Sequence, residues 1–231
     1  MPFMKQPLVS VVTVTKGRKQ FFPTLVSTIR SQDIGIENIE WVIVDEGSDP
    51  VFEHISGLPF VKYYHQGEFP TLGSKRNFSN MLASGEHIAY FDDDNYAFPD
   101  RLSVSVQALR ANPAAEIVGA SEMYVFDREL KQAYVCGPFA PNHATLGSWC
   151  FRRSLLNNTS FDDEVNSGEE VAFTWGWSVP IAQIDKSSAN ICFDHGTNTV
   201  SKRHLREGAR DFSDLRTILR DEVALQFFSN Y

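Results

Sequence analysis

The sequence predicts an α/β domain built on a mostly parallel central sheet flanked by helices, with a mixed C-terminal part. Three observations lead there. Short β-branched runs alternate with helical patterns through the first half, as in successive βαβ units. The runs Val9 to Val14 and Trp41 to Val44 are apolar without strict alternation, which fits strands covered on both faces by helices. The 231 residues are 42% hydrophobic, enough for a full core, and no Ser/Gly/Pro-rich linker or repeat divides them. One domain over 1–231 is therefore expected, with residues 8–115 as one half and 116–231 as the other.

The elements follow in order. Leu8 to Thr15 reads as a strand, Leu25 and Ile29 sit at helical spacing, and Trp41 to Asp45 is the second strand. Val61 to His65 and Ile88 to Phe91 are further strands. Between them Phe78, Met81 and Leu82 recur three and four apart, so a helix over Gly73 to Ser84 is expected to bury that face. Pro99 opens a helix with Leu102, Val106 and Leu109 on one side, and Pro113 stops it. Beyond Glu116 the texture changes to short strands at Ile117 to Ala120, Met123 to Phe126 and Gln132 to Val135, the last two joined by a turn. Gly168 to Trp177 reads as a short helix, Ile181 to Ile184 and Ala189 to Phe193 as strands, and Leu215 to Phe228 as a closing helix.

Composition narrows the function. With 21 basic and 29 acidic residues the formal charge is −8, which disfavours a broad electrostatic grip on nucleic acid. Cys136, Cys150 and Cys192 are odd in number, widely spaced and without a CxxC pair, so neither a disulfide framework nor a zinc-thiolate site is expected. Met1 to Pro7 lacks an apolar signal core and no run of apolar residues is long enough to span a membrane. The expectation is a cytoplasmic protein, with peripheral attachment to a membrane left open.

The densest chemical signal is Ala89-Tyr90-Phe91-Asp92-Asp93-Asp94-Asn95, three carboxylates and an amide at the end of an apolar strand. That end of an open α/β sheet is where ligands bind. Adjacent carboxylates repel, and a divalent cation relieves the repulsion; hard oxygen ligands without cysteine favour Mg(II) or Mn(II) over zinc. A solvated, Asx-capped turn is the alternative. Asp45 and Glu46 also follow a strand directly and would face the same crevice. Lys75 and Arg76, with Asn77, stand at a helix start, and Lys16 and Arg18 follow the first strand, where cations and free N–H groups can meet a diphosphate or a base. Acidic metal ligands and basic groups around one cleft describe a nucleotide-diphosphate site.

These segments together resemble the inverting glycosyltransferases of family 2, which have the GT-A fold. VSVVTVTKGR is similar to their first strand and loop, WVIVDEGSDP to their VDDGS segment, and LGSKRNFSNMLASGEHIAYFDDDN to their ARN helix and DxD strand. Order and spacing agree from about Val9 to Leu109. AYFDDDNYAFPDRL resembles members that use UDP- or dTDP-sugars. The chain departs from the pattern at Glu46, where Asp is usual, and at Lys16, where an aromatic residue often stacks on the base.

The resemblance implies transfer of one sugar from a nucleotide-diphosphate sugar, UDP-sugar favoured, to an acceptor hydroxyl by inverting displacement, with Mn(II) or Mg(II). It implies a nucleobase near Thr15, Lys16, Asp45 or Glu46, and Arg76, with Lys75 nearby. It implies a DxD bracketed by Asp92 and Asp94, with Asp93 on ribose or metal and Asp94 as principal metal ligand. A late histidine completes the metal site in some members; His195 in FDHGTN matches best, His204 second. The acidic pair Glu169-Glu170 stands at the place of the family's base, and Glu170 is the expected base, deprotonating the acceptor hydroxyl. Trp149, Trp175 and Trp177, with Glu169, are candidate acceptor contacts, or core.

Two other readings belong to different classes. Sugar-1-phosphate nucleotidyl transfer needs a Gly-rich phosphate cradle after the first strand, whereas Thr15 to Arg18 offers one glycine. A binding module without turnover would not need every acid in place. The acceptor, whether glycan, lipid-linked sugar, small molecule, protein or modified nucleic acid, is not specified. Lys202, Arg203, His204, Arg206, Arg210, Arg216 and Arg220 form a basic concentration read as a solvated helix face, some of it near donor phosphates.

Overall fold

Seven strands make the central sheet, and the reason is visible in their burial: Val9–Thr15 (β1) and Ile39–Asp45 (β2) are enclosed almost throughout, as strands covered on both faces must be. The computed structural model describes residues 7–196, 198, 202–219 and 221–229. After β1 and β2 come Val61–His65 (β3), His87–Tyr90 (β4), Tyr96–Ala97 (β5), Ile117–Gly119 (β6), Met123–Asp127 (β7), Gln132–Cys136 (β8), Cys150–Arg152 (β9), Ile181–Gln183 (β10), Asn190–Asp194 (β11) and Arg210–Ser213 (β12). The helices are Phe22–Arg30 (α1), Phe52–Ile55 (α2), Leu72–Leu82 (α3), Arg101–Ala111 (α4), Glu170–Phe173 (α5) and Glu222–Ser229 (α6).

The central sheet runs β10-β6-β9-β4-β1-β2-β3. β1 pairs in parallel with β2 on one side and β4 on the other, and β9 alone is antiparallel to its neighbours β4 and β6. Alternation along β1 and β2 sorts side chains to two cores. Val9, Val11, Trp41 and Ile43 pack against Phe22, Leu25 and Ile29 of α1 and Leu102, Val106 and Leu109 of α4. Val12, Val42, Val44 and Tyr90 face the opposite way onto Trp149, Phe151, Phe161 and Phe173. Full burial of each such side chain stabilises by about 1.5–3 kcal/mol.

The mixed C-terminal part is a separate five-stranded sheet, β12-β8-β7-β11-β5, rather than an extension of the first. Phe126, Ile191 and Phe193 on one of its faces are covered by Ala224 and Phe228 of α6 and by Phe21 ahead of α1. The two sheets meet at the acidic segment 92–95, which leaves β4 in the first and enters β5 in the second.

Two expectations are corrected. The closing helix is interrupted: a 3-10 turn over Leu215–Thr217 is followed by α6, which starts afresh where Asp221 accepts from the Ala224 amide at 3.3 Å, as a capping carboxylate does. α3 buries the predicted face only in part: Phe78 and Leu82 pack half-buried against the second core. Met81 is 75% exposed, and the buried side chains are Lys75, Arg76, Ser79 and Asn80. A polar face is turned inward where Lys75 meets the Thr15 carbonyl and Glu46, Arg76 meets Glu169, and Asn80 accepts from Tyr90 Oη.

Candidate active site

β2 and β3 lie on one side of β1 and β4 on the other, so the chain reverses its winding between β1 and β4, which is where an open α/β sheet leaves a crevice at its strand ends. A cleft of about 1040 Å³ opens there. Thr15 to Arg18, after β1, and Asp92 to Asn95, after β4, form its floor; Glu68 to Arg76, Thr145 to Gly147, Asn166 to Glu170 and residues after β11 form its walls. Both halves of the chain contribute to this one cavity.

The loop after β1 approaches the loop after β2 so closely that a Cβ on Gly47 would lie 2.7 Å from the Gly17 amide nitrogen, and Gly17 itself has φ of +63°. Glycine at 47 lets the two loops touch, and glycine at 17 suits the left-handed backbone there. Asp93 and Asp94 then sit nearly out of solvent, with Asp92 half-buried beside them. Asp92 accepts from Asn95 Nδ2 at 2.9 Å, and Asn95 Oδ1 accepts from the Phe193 amide at 3.2 Å, which ties the acidic turn to β11. Asp93 accepts from Arg18 at 3.0 Å; Asp94 accepts from Arg18 as well and meets His195 Nε2 at 3.1 Å. Burial raises the Asp92 carboxyl above its ordinary range, and burial followed by the charge of Asp94 pushes Asp93 up to about 7, with Arg18 pulling it back. Arg101, 1% exposed, lies over the Phe91 ring at 4.2 Å, and its charge helps offset that of Asp92.

Opposite the acids, Lys75 Nζ donates to the Thr15 carbonyl at 2.6 Å and pairs with Glu46 at 3.2 Å, while Glu46 also accepts from the Phe69 amide at 2.7 Å. Burial lowers the Lys75 ammonium, opposed by Glu46. Lys16 pairs with Glu68 at 2.8 Å at the exposed rim. Arg76 Nε donates to Glu169 at 2.8 Å, and its guanidinium lies 5.0 Å from the Tyr90 ring centroid. Glu169 is thereby consumed in a buried ion pair. Glu170, the next residue, lines the cleft, and no side chain among the described residues bonds its carboxylate; burial raises it above its ordinary range.

The position of this pair is set by a latch on α3. A Cβ on Gly73 would lie 1.8 Å from the Asp162 carbonyl oxygen, so segment and helix meet backbone to backbone. Asn77 donates to the Phe161 carbonyl at 2.9 Å and accepts from the Phe161 amide at 2.9 Å; Thr71 Oγ1 donates to the Asp163 carbonyl at 2.6 Å. Thr71 and Ser74 also cap the helix reciprocally.

The fold brings Thr15, Lys16, Glu46, Lys75, Arg76, Asp92, Asp93, Asp94, Glu169 and Glu170 to one cleft, with His195 behind Asp94. Others it does not. Asp45 turns away and accepts from the Gly47 amide, the Val51 amide and Tyr63 Oη at 2.8, 3.1 and 2.8 Å, so it shapes the turn after β2 and is no contact for a base. Trp149 is fully buried in the core, stacked 6.5 Å from Phe161, and Trp175 and Trp177 lie outside the cleft lining, so the aromatic acceptor platform is not there. His204 is exposed on the 3-10 turn Arg203–Gly208. The basic tail is not a helix face: Arg206 pairs with Asp127 and Arg210 with Glu122, and Arg220 lies outside the described residues. Sequence reasoning underrated Arg18 and missed the clip Asn95, the buried Arg101 and the latch Asn77. Asn95 and Arg101 could have been sought in the polar residues flanking the acidic turn.

An open α/β sheet with acids and cations converging at its reversal point is a frame for a phosphorylated ligand. The glycosyl transferase family 2 model matches residues 10–151, so the chain belongs to that family. It is 26% identical over 176 residues to Escherichia coli WcaA, named as a colanic acid biosynthesis glycosyl transferase, covering 74% of this chain and 58% of that protein. The chain thus spans little more than half the length of that relative. Its fold is similar to that of Staphylococcus aureus TarS in complex with UDP-GlcNAc (TM-score 0.66, 17% identity, 96% of this chain and 70% of that one). It is also similar to the mannosyltransferase PcManGT of Pyrobaculum calidifontis in complex with GDP-Man and Mn2+ (TM-score 0.63, 17% identity, 88% and 60%).

Proposed function

We propose that this chain transfers one sugar from a nucleoside-diphosphate sugar, UDP-sugar favoured, to an acceptor hydroxyl with inversion at the anomeric carbon, Glu170 acting as base. The observation that carries this reading is the division of labour between adjacent glutamates. Glu169 is locked to Arg76, while Glu170 faces the cleft that also holds Asp92 to Asp94. A carboxylate with raised proton affinity and no side-chain partner among the described residues suits the removal of a hydroxyl proton. TarS and PcManGT, whose fold this chain shares, are described with UDP-GlcNAc and with GDP-Man and Mn2+ respectively, which supports a nucleotide-sugar donor here.

A divalent cation, Mn(II) or Mg(II), fits the acidic turn. Despite Arg18, burial and mutual repulsion leave Asp93 at about 7, so negative charge there is undercompensated. Asp94 and His195 would hold the ion; among the described residues no three acid, histidine or cysteine groups converge, so donor phosphate oxygens would complete its shell. Such an ion supplies charge neutralisation for a departing diphosphate. In this reading Lys16 and Glu46 border the nucleoside end, and Arg76 keeps Glu169 from competing with Glu170.

The test is a panel of nucleotide sugars incubated with Mn(II), following release of free nucleoside diphosphate. Release of one diphosphate, lost in Glu170→Gln when an acceptor is present, is the expected result. Release of pyrophosphate would point to nucleotidyl transfer, and no release from any donor would count against turnover.

A further inference from the structure

Among the described residues, five cationic side chains line the cleft: Lys16, Arg18, Lys75, Arg76 and Lys202. Four are already matched by carboxylates. Lys16 meets Glu68, Arg18 meets Asp93 and Asp94, Lys75 meets Glu46, and Arg76 meets Glu169, each at 3.2 Å or closer. Lys202 is different: among the described residues it has no hydrogen bond or ion pair, although it stands in the same cavity. Its ammonium is held above its ordinary range by Cys192 and then, against burial, by Asp92, Asp94 and Asp194. At neutral pH the carboxylates are the groups that count, because burial pushes the Cys192 thiol itself up to about 12.

A charged amine drawn into a cleft by carboxylates it does not touch is poised for an anion that arrives beside them. The other four cations would share any phosphate they bind with a carboxylate already in contact. Lys202 would not. We propose that Lys202 binds the diphosphate of the nucleotide donor and stabilises it as the leaving group; this rests on the transfer reading given above. In the step it assists, the acceptor oxygen forms the new bond to the anomeric carbon and loses its proton to Glu170. The bond from that carbon to the β-phosphate oxygen breaks, and its electron pair stays on the phosphate, where the ammonium meets the added negative charge. The sequence offers Lys202 as one of seven basic residues in the tail; the fold places it in the cleft, whereas Arg206 and Arg210 are spent on Asp127 and Glu122.

The experiment is calorimetric titration of the whole chain with UDP, GDP and dTDP, and with the monophosphate and nucleoside of whichever base binds best, with and without Mn(II). Wild type, Lys202→Ala and Lys202→Arg are compared. The expected result is a loss of tenfold or more in diphosphate affinity for Lys202→Ala, in either metal condition. Nucleoside affinity should stay within twofold, and Lys202→Arg should recover most of the loss. Equal weakening of nucleoside and diphosphate would mean a general structural role and overturn the proposal, as would unchanged diphosphate affinity. If wild type binds no nucleoside diphosphate at all, the transfer reading fails and Lys202 loses its role with it. Thermal unfolding without nucleotide should match across the three proteins.

Discussion

Arg76 Nε and Glu169 Oε1 lie 2.8 Å apart, both side chains buried, although the residues are 93 positions apart in the sequence. The pair joins α3 to the segment that carries the proposed base. One guanidinium nitrogen of Arg76 has no partner among the described residues, so the bond to Glu169 is its main anchor besides the Tyr90 and Phe161 rings. Breaking it by Arg76→Met strands a buried carboxylate and should cost about 3–5 kcal/mol of stability. The double variant Arg76→Met/Glu169→Leu should recover most of this in urea denaturation. Equal losses in single and double variants would show that the rings, not the charge pair, matter.

Replacing Glu170 by Gln keeps size and removes basicity. Transfer should fall by about 10²–10⁴ in kcat, within the usual range for a lost general base, with nucleoside diphosphate affinity within twofold of wild type. Transfer at the wild-type rate would reassign the base.

Because burial raises the Glu170 carboxyl, the acid limb of the kcat/KM profile should lie above the ordinary glutamate value of about 4.3. Below that limb the rate should fall tenfold per pH unit as the base is protonated. A steady-state profile flat down to pH 4 would exclude it.

Asp93 gives a stability dependence of opposite sense to most acids. Its folded value of about 7 exceeds the unfolded value of about 3.9, so the folded state binds the extra proton between the two. Its contribution is whole below about pH 4 and is lost as pH rises through 7. Asp93→Asn should therefore remove this decline, and its Tm relative to wild type should increase from pH 4 to pH 8 in metal-free buffer.

Gly73→Ala drives a methyl group into the Asp162 carbonyl and should cost about 1–3 kcal/mol as an overpacked contact. Asn77→Ala removes both bonds to Phe161. In either case transfer should fall more than diphosphate binding, since the latch holds the segment leading to Glu170 rather than the acidic turn. Parallel losses in the two assays would argue against that division.

Much of the first half was legible in the sequence, because strand and helix periods are local. β1, β2, β3 and α4 stand within a residue or two of the expected limits, with Leu102, Val106 and Leu109 buried as the spacing required. The acidic turn could be read too, since a carboxylate run directly after an apolar strand falls at the ligand edge of a parallel sheet. α3 was legible in part: Phe78 and Leu82 pack on the core as their spacing suggested, while Met81 is exposed and a carbonyl and acids drew Lys75 and Arg76 inward. Asp45 looked like a ligand contact and is the acceptor for its own turn.

By itself the sequence determined the alternation of strand and helix, the acidic strand end, and the residue types available for transfer chemistry. Tertiary structure alone decided which carboxylate of Glu169 and Glu170 is spent in an ion pair, which cleft cation has no partner among the described residues, and that Trp149 is core. The reason is physical. Period and turn chemistry act between near neighbours, whereas pairing, burial and the charge left over depend on groups that folding brings together from far along the chain.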